Sequence, residues 1–180
     1  MNTPNKYIYQ STAFALRSFQ EGDEMALVKH ANNIKIFNNV RDVFPHPYTL
    51  DDAVWWVDAN KNSQAPFNTL AIEIEGEVVG GIGIVLGNDI YRSSAEIGYW
   101  LGESHWGKGI MSAVVKVMTD YVFQHFPDIV RLWAGIFEYN KASMRVVEKA
   151  GYHLESIQKK ACIKNGQVID AYLYVCFRAD

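Results

Sequence analysis

The sequence is poor in cysteine, with only Cys162 and Cys176 among 180 residues. Two thiols exclude a disulfide-stapled scaffold, which needs several bridges. They fall in what read as adjacent strands, either as cross-strand neighbours or, the favoured state, as a pair of buried free thiols. No apolar run approaches the length that spans a bilayer. The opening stretch MNTPNKYIYQ lacks the apolar core of a signal peptide. No basic excess exists either: 17 Lys and Arg against 20 Asp and Glu give a formal charge of -3, which argues against a nucleic-acid backbone as partner. The five histidines lack ligand spacing, so no metal is expected. Low-complexity tracts, linkers and internal repeats are missing as well. What remains is an ordinary globular composition, read as one cytoplasmic domain long enough to bury a proper core.

Hydrophobic periods and turn residues then divide the chain. A short strand end near Arg17 precedes a helix over Glu21 to Ala31, with Met25, Leu27 and Val28 as a modest stripe. Pro45 and Pro47, one residue apart, forbid regular helix in the segment Arg41 to Tyr48. Thr49 can cap the next helix, and Asp51 and Asp52 suit its positive end; it should run to about Lys61. Leu70, Ile72 and Ile74 alternate with Ala71 and Glu73 as a strand does, and Val78 to Leu86 returns as a second strand after a turn at Glu75 to Glu77. Gly80, Gly81 and Gly83 in that strand indicate a bulge or a close neighbour. Ala95 to Leu101 is a third strand.

Gly109 to about Phe126 is helical, with Ile110, Val114, Val117, Met118, Tyr121 and Val122 on one side. Ile129 to Phe137 reads as a buried strand. Lys141 to Ala150 reads as a helix closed by Gly151. Tyr152 to Ile163 and Val168 to Phe177 form a hairpin about Asn165-Gly166. The result is a mixed α/β (α+β) fold, mostly antiparallel, with flanking helices and a strand–helix–strand crossover in the middle.

The chemistry concentrates in Glu96 to Met111: a strand, a short polar loop, then Gly107-Lys108-Gly109 opening a long helix. A helix start offers free backbone N–H groups and a positive dipole end. Glycines let a phosphate approach that backbone. The same glycines also suit a plain tight turn. A nucleotide P-loop fits poorly, because its Ser or Thr position is Gly109. A dinucleotide fingerprint fits poorly too, because Ser112 replaces its last glycine and five residues separate Leu101 from Gly107.

The string Trp106-Gly107-Lys108-Gly109-Ile110-Met111 resembles the cofactor signature of the GCN5-related N-acetyltransferases (GNAT), in which Gln/Arg-x-x-Gly-x-Gly/Ala follows the fourth strand. Trp106 and Met111 depart from that pattern. The tryptophan is similar to the branch that holds the ribosomal-protein acetyltransferases RimJ and RimL, as are Ala95 to Leu101 and the segment Asn140 to Tyr152. The resemblance spans roughly Ser11 to the C-terminus. It implies a single N-acetyltransferase domain over 1–180 with its core at 11–178, and a splayed parallel strand pair in the sheet. It further implies acetyl-CoA as cofactor, coenzyme A as product, no metal, and a primary amine as acceptor, on a small molecule or a protein N-terminus. Nucleic acid and membrane are not expected as partners; a homodimer is compatible.

Residue by residue, the resemblance assigns the cofactor's diphosphate to the backbone of Gly107, Lys108, Gly109, Ile110 and Met111, after Trp106. The side chain of Lys108 adds charge there or is simply solvated. The pantetheine arm falls beside Tyr99, Trp100 and Leu101. Asn140 contacts the cofactor, caps the helix from Lys141, or does both. Amine attack on a thioester needs removal of a proton and stabilisation of an oxyanion. Glu96 is the candidate base or holder of a water; a structural carboxylate is its equal rival. Ser143 is a candidate to protonate the thiolate or hold the sulfur. The tyrosine many relatives use lies four positions on, where this chain has Val147, and Tyr139 is a nearby substitute. Arg41, Phe44 and Tyr48 match the region that shapes the acceptor pocket. Asp170, Tyr172 and Tyr174 share one strand face, either toward that opening or toward solvent. Loss of the usual tyrosine keeps a second reading open: a catalytically weak acyl-CoA-binding or sensing module on the same fold.

Overall fold

The computed structural model describes residues 7–179. The first six positions of the opening stretch MNTPNKYIYQ lie outside the described residues. Eight strands form a mixed sheet in the order β1-β2-β3-β4-β5-β6-β8-β7. They are β1 (Tyr7–Gln10), β2 (Ala15–Arg17), β3 (Thr69–Ile74), β4 (Glu77–Leu86), β5 (Ser94–Leu101), β6 (Arg131–Phe137), β7 (His153–Lys164) and β8 (Gln167–Phe177). The helices are α1 (Glu24–Ala31), α2 (Ile34–Phe37), α3 (Leu50–Asn60), α4 (Ile110–His125) and α5 (Lys141–Lys149). Among the described residues no helix is long and apolar enough to cross a membrane. Among the described residues two compact units emerge, residues 7–82 with 99–110, and residues 83–98 with 111–179.

In the first unit β1, β2 and β3 pair antiparallel, with Leu16 opposite Ile72. Periodicity missed β1, a four-residue strand that is half-exposed or exposed throughout. It also missed α2, a single turn capped by Asn33. Helix α1 starts at Glu24 and not Glu21, because Gly22 turns the chain at φ +98°. Its buried residues are Leu27 and Ala31, whereas Met25 is 68% exposed, so Met25 leaves the expected stripe. Thr49 and Asp52 make a reciprocal cap on α3: each side chain accepts the other's backbone N–H. The core packs Phe19, Leu27, Tyr48, Val57 and Val78 together. Beside it lies a buried charge cluster. Arg17 forks onto both oxygens of Asp23 at 2.8 Å and also bonds Glu73, whose other oxygen accepts from the Tyr7 hydroxyl at 2.9 Å.

In the second unit β5 and β6 run parallel, and their ladder ends at Glu96 opposite Trp133. Strand β6 continues to Phe137 against β8 alone, so the parallel pair parts where Ile97 begins. Strands β7 and β8 form the expected hairpin, and Asn165 (φ +50°) and Gly166 (φ +74°) supply its turn. A bulge between Gln158 and Cys162 places Lys160 at φ +54°. The buried stripe of α4 is Met111, Val114, Val115, Met118, Thr119 and Val122. It is rotated from the expected one because Thr119 counts inside: its hydroxyl meets Tyr152 and the Val115 carbonyl, each at 2.8 Å. The cysteines are free, half-buried and not cross-strand partners; Cys162 faces Ile169 and Cys176 faces Leu132.

Candidate functional site

In the first unit, the end of β5 is fixed before the glycine loop begins. A Cβ on Gly80 would meet the Trp100 carbonyl at 2.5 Å, and one on Gly81 would meet the Trp100 indole nitrogen at 3.0 Å. Gly80 and Gly81 thus admit a close neighbour, one of the two readings of the glycines in β4. Gly102 N–H donates to the Val79 carbonyl at 2.7 Å. A short 3-10 turn, Glu103–His105, follows. Trp106 then donates its indole N–H to the Leu101 carbonyl at 2.7 Å.

The loop itself is exposed from Trp106 to Gly109. Gly107 and Gly109 hold φ of +73° and +77°, where a side chain is strained, and a Cβ built on either meets nothing within 4 Å. Left-handed residues in such a turn aim backbone N–H groups at a common concavity. Helix α4 begins directly at Ile110 and adds the free N–H groups of its first turn. The loop therefore has the open backbone that a phosphate group requires. Met111, which departs from the general signature, is buried, so its side chain leaves that approach clear.

The neighbouring charges are paired. Lys35 and Asn33 hold the Glu103 carboxyl below its ordinary range. Burial, aided by the charge of Lys108, holds His105 below the usual imidazole value. Of the expected acceptor residues in this unit, Arg41 is exposed, Phe44 half-buried and Tyr48 buried. Phe44 stacks obliquely on Tyr48 at 5.3 Å and sets its edge to Trp100 at 5.8 Å. Burial pushes the Tyr48 hydroxyl up to about 12, with help from Asp52. Tyr48 is thus a neutral wall of the core and not a free group on the loop. Tyr99 is half-buried and Leu101 buried.

In the second unit, Glu96 is half-buried at the last rung of the parallel ladder. Asn140 accepts the backbone N–H of Ser143 at 3.0 Å, so the capping role of Asn140 is realised. Ser143 is half-buried in the first turn of α5, and Tyr139 is exposed beside Phe137. Val147 is fully buried, so the position of the missing tyrosine points into the core. Asp170 is occupied by the bulge: it accepts from the Lys159 ammonium at 2.7 Å and the Lys160 N–H at 2.9 Å, which holds its carboxyl below the usual range. Tyr172 lies under the Lys141 ammonium at 4.9 Å. Tyr174 is buried and donates to Glu148 at 2.8 Å, which excludes a simple solvent face for Asp170, Tyr172 and Tyr174. Among the described residues no group of three or more His, Cys, Asp or Glu could hold a metal ion.

Sequence reasoning missed the residues that fasten the turn before the loop: His30, Lys35, Glu77, Gly102 and Glu103. They lie far apart in sequence, and no spacing rule links them.

Comparison with known proteins adds four findings. The acetyltransferase (GNAT) domain family matches residues 14–153. The probable N-acetyltransferase YjcK of Bacillus subtilis (strain 168) is 47% identical over 73 residues, 41% of this chain; the chain spans only 40% of that protein's length. The L-amino acid N-acetyltransferase AaaT of Escherichia coli (strain K12) is 28% identical over 71% of this chain and 76% of its own. Among solved structures, RimL, a ribosomal L7/L12 alpha-N-protein acetyltransferase in complex with coenzyme A, superposes with a TM-score of 0.82. It is 25% identical and covers 95% of this chain and 97% of its own.

Proposed function

The chain belongs to the acetyltransferase (GNAT) domain family, and on that premise we propose that it is an enzyme that moves the acetyl group of acetyl-CoA to a primary α-amine. The observation that carries this reading is the exposed loop at Gly107 and Gly109, open above both Cα atoms and running straight into α4. An acceptor of the α-amine class is favoured because two similar proteins are named for it, one for amino acids and one for a protein N-terminus.

Acetyl-CoA supplies an activated thioester. The ammonium nitrogen loses two protons in all: one is released before attack, then the new bond forms between that nitrogen and the acetyl carbon, the carbon–sulfur bond breaks, and the second proton is made good on the departing sulfur. A free α-amino group has a pKa of roughly 7.7–8.0, so it needs only modest help from a base at neutral pH. Glu96 is proposed to take the first of these protons, directly or through a water. Ser143 is proposed to return a proton to the departing sulfur, with Tyr139 as the substitute donor. The backbone from Gly107 to Met111 is proposed to hold the diphosphate, with Trp106 setting the loop and Tyr99 to Leu101 bordering the pantetheine arm. Asn140 is proposed to add a cofactor contact to its cap. Arg41, Phe44, Tyr48, Asp170 and Tyr172 are the residues proposed to shape acceptor choice, Tyr48 and Asp170 only through packing and loop position.

The test is thiol release from acetyl-CoA across free amino acids, short peptides and their N-acetylated counterparts. Release with free α-amines and none with blocked ones is expected. Cofactor binding without release for any amine would replace this reading with that of an acyl-CoA-binding module, which the buried Val147 keeps in play.

A further inference from the structure

Gly102 is a glycine whose backbone does not need one. Its φ of -55° and ψ of 138° are open to any residue. What forbids a side chain is the imidazole of His30. A Cβ on Gly102 would stand 2.7 Å from His30 Nδ1, 3.1 Å from Cγ and 3.2 Å from Cβ. His30 is itself held. Its side chain is 9% exposed, and Nε2 lies 2.6 Å from Glu77 Oε1, which also accepts from the Lys29 ammonium at 2.6 Å. Its ring also meets His105 edge-on at 5.8 Å between centroids. A second tie lies alongside: Glu103 accepts from Asn33 at 2.8 Å and pairs with Lys35. The turn Gly102 to His105 is therefore seated on α1 and α2, and it leads directly into Trp106 and the glycine loop.

We propose that His30 is a positioning residue for the cofactor loop, acting through its ring contact with Gly102 and its bond to Glu77. This rests on the loop binding acetyl-CoA as proposed above. A loop that must offer several backbone N–H groups to one diphosphate tolerates little displacement, since each hydrogen bond weakens steeply with angle and distance. A turn lifted from the His30 ring would carry the glycine loop with it. The fold would survive while the affinity for cofactor fell.

The experiment is a two-residue cycle read by acetyl-CoA titration calorimetry, with the melting temperature of the unliganded protein as the fold control. Gly102→Ala is expected to weaken acetyl-CoA binding about tenfold, within the range of couplings between contacting residues. In a His30→Ala background the two ring atoms are gone, and of the three nearest atoms only the Cβ at 3.2 Å remains. There the same Gly102→Ala change is expected to alter affinity less than about twofold. In turnover assays His30→Ala should raise KM for acetyl-CoA and leave kcat unchanged. His30→Gln, which keeps a donor for Glu77, should restore much of the loss. Equal losses from Gly102→Ala in both backgrounds, or no loss in either, would overturn the proposal. If Gly102→Ala fails to fold, His30→Leu against His30→Gln decides: Leu is expected to raise KM and Gln to hold it near wild type, and equal values overturn the proposal. Absence of acetyl-CoA binding by the unaltered protein would overturn the functional reading as well. Binding by the unaltered protein together with an indifferent Gly102→Ala would overturn this inference alone.

Discussion

The indole N–H of Trp106 donates to the Leu101 carbonyl at 2.7 Å, so the residue that opens the glycine loop also ties that loop back to the end of β5. A neutral hydrogen bond of this kind contributes about 0.5–1.5 kcal/mol. Trp106→Phe keeps a ring and removes the donor. It is expected to weaken acetyl-CoA binding by roughly two- to tenfold and to lower the melting temperature by no more than a few degrees. Titration calorimetry on both proteins checks this; unchanged affinity would leave Trp106 a surface aromatic.

Gly109 sits at φ +77° with nothing within 4 Å of a built Cβ. Gly109→Val places a β-branched side chain in a strained backbone and in the open approach, at a local cost of about 1–2 kcal/mol. The protein should still fold, since no neighbour is struck. Acetyl-CoA should no longer stabilise it. A folded variant with wild-type cofactor affinity would show that the loop is only a turn.

Asn140 caps α5 through the Ser143 N–H. Asn140→Ala should cost about 1 kcal/mol of stability. Asn140→Asp keeps an accepting oxygen at the helix start and adds a negative charge. It should hold stability and weaken acetyl-CoA binding if the residue also touches the cofactor. Denaturant melts and cofactor titrations on the two variants separate a cap from a cap that binds.

Arg17 is 2% exposed and balances two buried carboxylates, Asp23 and Glu73. Arg17→Met takes the guanidinium away from both, and removing one partner of a buried ionic group costs about 3–5 kcal/mol. Arg17→Lys should recover only part of this, because an ammonium cannot fork onto Asp23 as the guanidinium does. Urea unfolding midpoints are the measurement. Near-wild-type stability in Arg17→Met would show that the cluster is dispensable.

Much of this architecture was legible in the residues. The alternation at Leu70 to Ile74, the cap at Thr49, the Asn165-Gly166 turn and the closure at Gly151 are local rules, and each appears where its rule placed it. The glycine loop was legible for the same reason, because positive φ and glycine go together. Strand β1 and the one-turn α2 were not, being too short to show a period. The Arg17 cluster and the seat of Gly102 on His30 were not legible either. Both join residues tens of positions apart, and Gly102 in sequence looks like an ordinary turn glycine. Asp170 and Tyr174 read as one strand face, turned either to the acceptor opening or to solvent, but the bulge at Lys160 and the bond to Glu148 engage them instead.

Glu96 separates two accounts of the chemistry by pH. If it removes the proton, Glu96→Gln lowers kcat at pH 7 by about a hundred- to ten-thousand-fold. About tenfold of that loss should return as pH rises past the amine's own value of roughly 8, because the acceptor is about one-tenth deprotonated at pH 7 and deprotonates unaided above it. If Glu96 only braces the strand, stability falls and the pH–rate profile keeps its wild-type shape.

The most direct test of the central claim is the melting temperature of the unaltered protein with and without acetyl-CoA. A ligand at a hundred times its dissociation constant adds about 2.7 kcal/mol. For a chain of this size that corresponds to a rise of about 5–10 °C. The expected result is a rise of that order, reproduced by coenzyme A. An unchanged melting temperature at millimolar acetyl-CoA would contradict it.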